Sequence, residues 1–244
     1  MPTMHIERLL HSQGFGSRKE SRALIRAGHV SVAGVPCDDP FIDFEPGSTD
    51  GSPGLEFTVG SQTWHFRAQA YVMLHKPTGY ECSQKPTFHP SVFTLMPPQF
   101  LPRGVQCIGR LDQDTTGLLL LSDNGKFIHQ WSSGKKNTPK VYEVTLKHPV
   151  SAELIPALLA GVQMHDEPAP VAATACVQTG SHTLQLTICE GKYHQVKRMI
   201  GAAGNRVEAL HRSRIGGLEL DPGLAPGQWR WLEADDLVRL ADFA

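Results

Sequence analysis

One acid in this 244-residue sequence stands where acids do chemistry. In Gly109-Arg110-Leu111-Asp112-Gln113-Asp114-Thr115-Thr116-Gly117 a basic residue precedes a carboxylate by two positions, small hydroxyls and a glycine follow it, and an apolar run, Leu118 to Leu121, comes next. The run reads as a buried strand, which puts Asp112 on a loop at the strand's mouth, a scaffolded position of the kind that carries function. An ionised carboxylate held there can attack an electrophilic carbon or take a proton. Downstream, Tyr142 offers an aromatic face, and a basic series runs from Lys192 through Lys197, Arg198, Arg206 and Arg212 to Arg214. Taken singly, Asp112 is as much a turn residue as a catalyst, Tyr142 reads as an ordinary sheet residue and Lys192 as a solvated one.

These residues need elements to hold them. Tyr71 to Leu74 reads as a buried strand stopped at Lys76-Pro77, with Gly79 in a turn. Lys140 to Leu146 alternates, placing Tyr142, Val144 and Leu146 on one face, and Thr183 to Cys189 alternates in the same way. Helices are expected over 125–131, from a Ser151 cap through Leu158, over 193–203 and over 234–240, with further strands at 207–210 and 218–220. Strands interleaved with helices, several of them half-buried, predict an α+β fold with a mainly antiparallel mixed sheet flanked by helices. The first 34 residues form a separate small α/β unit of helix, helix and strand. Ser17-Arg18-Lys19-Glu20 has the capping-box form, Gly28 suits a helix end, and Arg18, Arg22 and Arg26 recur every four residues on one helix face beside Lys19. Residues 46–63 are rich in Gly, Pro and Ser and read as an acidic linker with one short strand, Leu55 to Val59. The division is therefore expected at residues 1–62 and 63–244.

Bulk properties narrow the classes. The hydrophobic content of 40% and charged content of 19% suit a globular chain with a real core. The apolar run at 118–121 is far too short to span a bilayer, and no secretory h-region opens the chain, so a cytoplasmic protein is expected. Five cysteines, odd in number and without a C-x-x-C pair, argue for free thiols and against a disulfide framework or a zinc site. The net charge of −1 hides segregation: basic residues crowd the first 34 positions, and an acidic stretch follows from Asp38 to Glu56. Such segregation can create a local cationic surface on a neutral protein.

The Gly109–Gly117 segment resembles the G-R-L-D-x-x-[TS]-[TS]-G motif of RNA pseudouridine synthases. Lys140-Val141-Tyr142 is similar to that family's K-x-Y strand, and Glu190-Gly191-Lys192-Tyr193-His194-Gln195-Val196-Lys197-Arg198-Met199 to its E-G-[RK]-x-H-Q-[VI]-[KR]-R-M segment. His75-Lys76-Pro77-x-Gly79 resembles the N-K-P-x-G opening of the catalytic domain, with His75 replacing the usual Asn. Gly14, Ser17, Arg18, Ser21, Gly28, Val30, Val32 and Gly34 resemble the S4 RNA-binding module. The resemblance spans residues 4–34 and 70–240, and its nearest form is the bacterial small-subunit (16S) ribosomal RNA pseudouridine synthases.

The resemblance implies a cofactor-free and metal-free isomerisation of uridine in ribosomal RNA. Asp112 would be the catalytic carboxylate, as nucleophile or base, and Lys192 the cation that keeps it ionised, where many relatives carry Arg. Tyr142 would stack on the extruded base, and Arg110 would fill the vacated space or hold the adjacent phosphate. Further RNA contacts are expected from Ser17, Arg18, Lys19, Arg22, Arg26, Lys76, Lys197 and Arg198. A monomer acting on ribosomal RNA, without a membrane partner, completes the expectation. Two rivals have their own signatures. Asp112-x-Asp114-x-Thr116 also resembles the D-x-D-x-T of haloacid-dehalogenase phosphatases, with Asp235-Asp236 as a distal acidic pair, although the apolar run follows the acid instead of leading to it. An S4 module can also bind RNA without this chemistry.

Overall fold

The computed structural model describes residues 3–48, 51–132 and 136–243. The chain opens with β1 (Met4–His5), α1 (Ile6–Ser12) and α2 (Arg18–Arg26), followed by β2 (Val30–Val32), β3 (Val35–Cys37), β4 (Asp43–Phe44), β5 (Glu56–Val59) and β6 (Gln62–His65). Ile6, Leu9 and Leu10 recur at helical spacing and are fully buried against Ile25, Val30, Val32 and Phe57. The capping box that opens α2 forms as its sequence predicts: the Glu20 amide donates to the Ser17 hydroxyl at 3.3 Å, and the Ser17 amide donates to the Glu20 carboxylate at 2.7 Å. Four strands form a sheet in the order β3-β2-β5-β6. The stretch expected to be a linker thus supplies a hairpin, in which Phe57 faces Trp64 and Val59 faces Gln62, and the expected division after residue 62 falls inside it. Its second strand, Gln62-Thr63-Trp64-His65, has one large apolar residue, so alternation was too weak to mark it.

The larger unit comprises β7 (Tyr71–Lys76), α3 (Phe100–Arg103), β8 (Gln106–Ile108), β9 (Thr116–Ser122), α4 (Gly125–Ser132), β10 (Lys140–Leu146), α5 (Leu154–Ala160), β11 (Ala175–Gln178), β12 (Thr183–Ile188), α6 (Gln195–Ala202), β13 (Val207–Ile215), β14 (Leu218–Glu219), β15 (Trp229–Trp231) and α7 (Ala234–Ala241). Its sheet runs β11-β12-β10-β13-β9-β7-β15, with β14 on β13 and β8 on β9. Every pairing is antiparallel except β9 with β13. The leucine run is continuous because both faces of β9 are covered: Leu119 and Leu121 enter one core, Leu118 and Leu120 the other. At the head of β9 Gly117 has φ +107, and a Cβ there would stand 2.3 Å from the Arg212 carbonyl oxygen. Only glycine lets β13 approach so closely, which brings Arg212 under the Asp112 loop.

Several boundaries differ from the sequence reading. Helix α5 begins at Leu154 with no capping side chain at Ser151. Strand β13 continues past Leu210 to Ile215, and α6 begins at Gln195, because His194 adopts a left-handed conformation (φ +47) that a helix cannot contain. The two units are clasped together. The Gln13 amide oxygen accepts from the Arg67 amide (3.1 Å) and the Arg103 guanidinium (2.6 Å), while its nitrogen donates to the Arg67 carbonyl (3.1 Å). Next to it, Gly14 lies so close to the Gln99 backbone that a Cβ would come within 2.0 Å of the carbonyl oxygen. Trp64 packs edge-on to Phe100 and Trp231 across the same seam. Among the described residues no helix is long and apolar enough to cross a membrane.

Candidate active site

Asp112 lies on the turn between β8 and β9. Two elements pin that turn from beneath. The Lys76 ammonium, with no exposed surface, donates to the carbonyls of Pro77 (3.0 Å), Gln113 (3.2 Å) and Thr115 (2.9 Å), and the Gly79 amide donates to Gln113 (2.7 Å). The turn closes on itself where the Thr115 amide donates to the Asp112 carbonyl at 3.1 Å. Burial pulls the Lys76 ammonium below its ordinary range. Its three carbonyl acceptors satisfy all its donors. Lys76 is therefore no RNA contact: the Lys-Pro-x-Gly segment builds the floor of the site.

The Asp112 carboxylate is part-buried between two bases. Lys197 Nζ lies 3.0 Å from Oδ2 and His194 Nε2 lies 3.3 Å from Oδ1. Lys197 also grips Asp114 at 2.6 Å. Burial acts to lower the Lys197 pKa, but its hydrogen bonds and attraction to Asp114 and Asp112 outweigh this and hold the ammonium above the ordinary lysine range. Burial likewise opposes ionisation of Asp114, and Lys197 reverses it, leaving that carboxyl below its ordinary range. The left-handed turn at His194 is what aims these two side chains. Lys197 follows in the first turn of α6, three residues after His194. A non-glycine residue held at positive φ stores strain, which the contact with Asp112 helps to retain.

The expected cation is thereby corrected. Lys192 precedes the reversal and lines the same cleft, but its ammonium is paired elsewhere: it bonds Glu167 at 2.8 Å and lies 3.6 Å from Glu190. Glu167, first through its hydrogen bond, raises the Lys192 pKa. Arg198 reaches the same Glu167 at 3.4 Å and donates to the Tyr193 carbonyl at 3.1 Å. Of the α6 cations expected on RNA, Lys197 is thus bound to the acids and Arg198 is engaged within the protein.

Tyr142 projects from β10 into the same cleft, of about 220 Å³, that Asp112, Lys197, Arg110 and Arg212 line. Its ring is buried. Arg212, 3% exposed, donates from Nε to the Leu118 carbonyl at 2.9 Å and approaches the Tyr142 hydroxyl at 3.5 Å, while its Nη2 is buried without a partner. Sequence reading placed Arg212 in a basic series and gave it no role. Its signal was the two-residue alternation of Leu210, Arg212 and Arg214 along a strand then read as ending at Leu210. Arg110 is exposed at the rim and forms no hydrogen bond or ion pair among the described residues. On the N-terminal unit, Arg18, Lys19 and Arg26 are exposed and form no salt bridge among the described residues, whereas Arg22 is hydrogen-bonded to buried Glu7. The Ser17 hydroxyl is occupied as the helix cap.

The phosphatase pattern does not assemble. Asp112 stands ahead of β9, Asp236 is bound to Arg230 at 2.6 Å at the start of α7, and neither Asp235 nor Asp236 lines the cleft. Among the described residues no three His, Cys, Asp or Glu side chains gather as a metal site, and all five cysteines are free thiols. A carboxylate held against Lys197 and His194, facing an aromatic ring in one cleft, has the parts of a nucleophile or a general base.

Comparison with known proteins agrees in both units. Residues 70–202 match the family described as RNA pseudouridylate synthase, and residues 6–41 match the S4 domain. The chain is 38% identical to the Bacillus subtilis protein named uncharacterized RNA pseudouridine synthase YtzG, over 96% of this chain and 97% of that one. It is 36% identical to the Yersinia pestis ribosomal small subunit pseudouridine synthase A, over 96% and 97% of the two chains. It is 42% identical to the Escherichia coli protein of that name, over 69% and 72%. A solved structure described as a pseudouridylate synthase superposes with a TM-score of 0.67 at 30% identity, covering 97% of this chain and 99% of the other. The chain belongs to the RNA pseudouridine synthase family, enzymes that isomerise uridine, and carries an S4 domain at its N-terminus.

Proposed function

We propose that this chain isomerises a specific uridine of small-subunit (16S) ribosomal RNA to pseudouridine, with Asp112 as the reacting carboxylate. The target class rests on the relatives named ribosomal small subunit pseudouridine synthase A. In the reaction the N1–C1′ bond breaks, the uracil turns, C5 bonds to C1′, and the proton lost from C5 is balanced by one gained at N1. Asp112 either attacks C1′ or removes the C2′ proton, and both routes need it ionised. The observation that carries the reading is the Asp112 carboxylate held between Lys197 and His194 at the mouth of the cleft that Tyr142 lines. Extruding the uridine costs roughly a few kcal/mol, and stacking on Tyr142 returns about 1–3 kcal/mol. Arg110 meets the neighbouring phosphate, and the cations of α2 hold the RNA without reading its bases. The enzyme acts in this scheme as a cytoplasmic monomer.

Mapping pseudouridines in ribosomal RNA from cells with and without the gene tests the proposal. One 16S position should disappear and return with the wild-type gene but not with Asp112→Asn. A lost position in 23S RNA would move the target to the large subunit. No lost position, with RNA binding indifferent to Asp112→Asn, would leave an RNA-binding protein without this chemistry.

A further inference from the structure

A second depression adjoins the cleft and shares Arg110, Leu111, Asp112, Lys192 and His194 with it. Its outer wall is Tyr193, which is 71% exposed although it is among the largest apolar side chains of the chain. The ring is not loose. Its inner face stacks on His194, with centroids 3.9 Å apart and planes 19° from parallel, and the Tyr193 carbonyl accepts from Arg198. His194 in turn lies 3.3 Å from Asp112. A flat aromatic surface is thus stacked on the histidine whose edge contacts the reacting acid, with the ring largely exposed. Arg110, without a partner among the described residues, lines the same depression.

Building on the uridine-isomerase reading, we propose that Tyr193 is a stacking platform for an unpaired nucleotide adjoining the target uridine, with Arg110 on the phosphate beside it. Withdrawing the uridine from its stack deprives a neighbouring base of a π-face, and Tyr193 supplies one in its place. Stacking of this kind accepts any base, because each has such a face, so the platform adds grip without adding sequence preference. The surface suits RNA because it continues the reaction cleft and has a free guanidinium ready for phosphate.

The test uses the full chain and an unmodified transcript of 16S RNA, with 5-iodouridine placed at each neighbour of the mapped target for photo-crosslinking. Irradiation should join one of these neighbours to Tyr193. Tyr193→Ala should raise KM by roughly 5- to 100-fold, more than it lowers kcat, and Tyr193→Phe should restore it. An unchanged KM in Tyr193→Ala, or crosslinks that avoid Tyr193, overturns the proposal. So does a fall in kcat at constant KM, which would make the ring only a prop for His194. Should the wild type bind the transcript and form no pseudouridine, the catalytic reading fails while Kd and the crosslink still decide the platform.

Discussion

The basic face of α2 and the cleft at Asp112 both gather charge, but they do so in opposite ways. On α2, Arg18, Lys19 and Arg26 are solvated and form no salt bridge among the described residues, while Arg22 is drawn back by Glu7. At the cleft every acid has a base: Lys197 bridges Asp112 and Asp114, His194 backs Asp112, and Glu167 binds both Lys192 and Arg198. Solvated cations suit a polyanion, since each phosphate contact releases a counterion and asks for no fixed geometry. Interlocked charges suit chemistry, because a preorganised site needs no rearrangement when the reaction begins. The first region should govern affinity and the second turnover.

Asp112→Asn is the severest way to break that division. It should lower kcat by on the order of 10⁴-fold or more and change the Kd for 16S RNA little, measured by single-turnover assay and filter binding. Substantial residual turnover would remove Asp112 from the chemistry. Lys197→Met comes next, with a loss of about 100-fold in kcat, below the full cost of stranding a buried charge because the pair is partly solvated. Lys192→Met should cost much less, and the reverse ranking would return the catalytic cation to Lys192.

Arg212→Met sharpens the contrast from inside the core. The guanidinium is buried with no carboxylate bound to it among the described residues, so its removal should leave unfolding free energy within about 1 kcal/mol of wild type while kcat falls roughly 10-fold. Stability assays would expose a purely structural residue by a large drop in midpoint. On α2, Arg18→Ala or Lys19→Ala should weaken binding at low salt and reduce the slope of log K against log salt by about 0.7 each, with kcat unaffected.

Glu7→Gln should have the smallest effect. The hydrogen bond from Arg22, the largest influence on it, holds the Glu7 carboxyl below its ordinary range. A depressed carboxyl adds stability that is complete above the unfolded value of about 4.3 and is lost as pH falls through the lower folded one. The variant should therefore lose no more than about 1 kcal/mol at neutral pH and converge on wild type in acid, and its RNA salt slope should rise slightly as Arg22 is released.

What the sequence disclosed follows the length scale of each feature. The Asp112 turn, the α2 capping box and the Tyr142 strand are contiguous patterns, and each could be read directly. Lys192 and Lys197 are five residues apart in one segment, and the choice between them hangs on a single left-handed residue, His194, which no periodicity announces. Lys76 misled for a different reason. Lysine is almost never fully buried unless its donors are met, and the three carbonyls that meet them come from residues up to 39 positions away. Arg212 depends on a parallel pairing of β9 with β13, which only the folded sheet brings together.

The clasp of Gln13 and Gly14 against Arg103 and Gln99 leaves no slack between the two units. An RNA held on α2, as proposed, would therefore meet Asp112 at one fixed offset, as between the jaws of a calliper. Uridines that are chemically identical would then differ in where the surrounding RNA fold puts them, and selection on the proposed reading would become a measurement of distance.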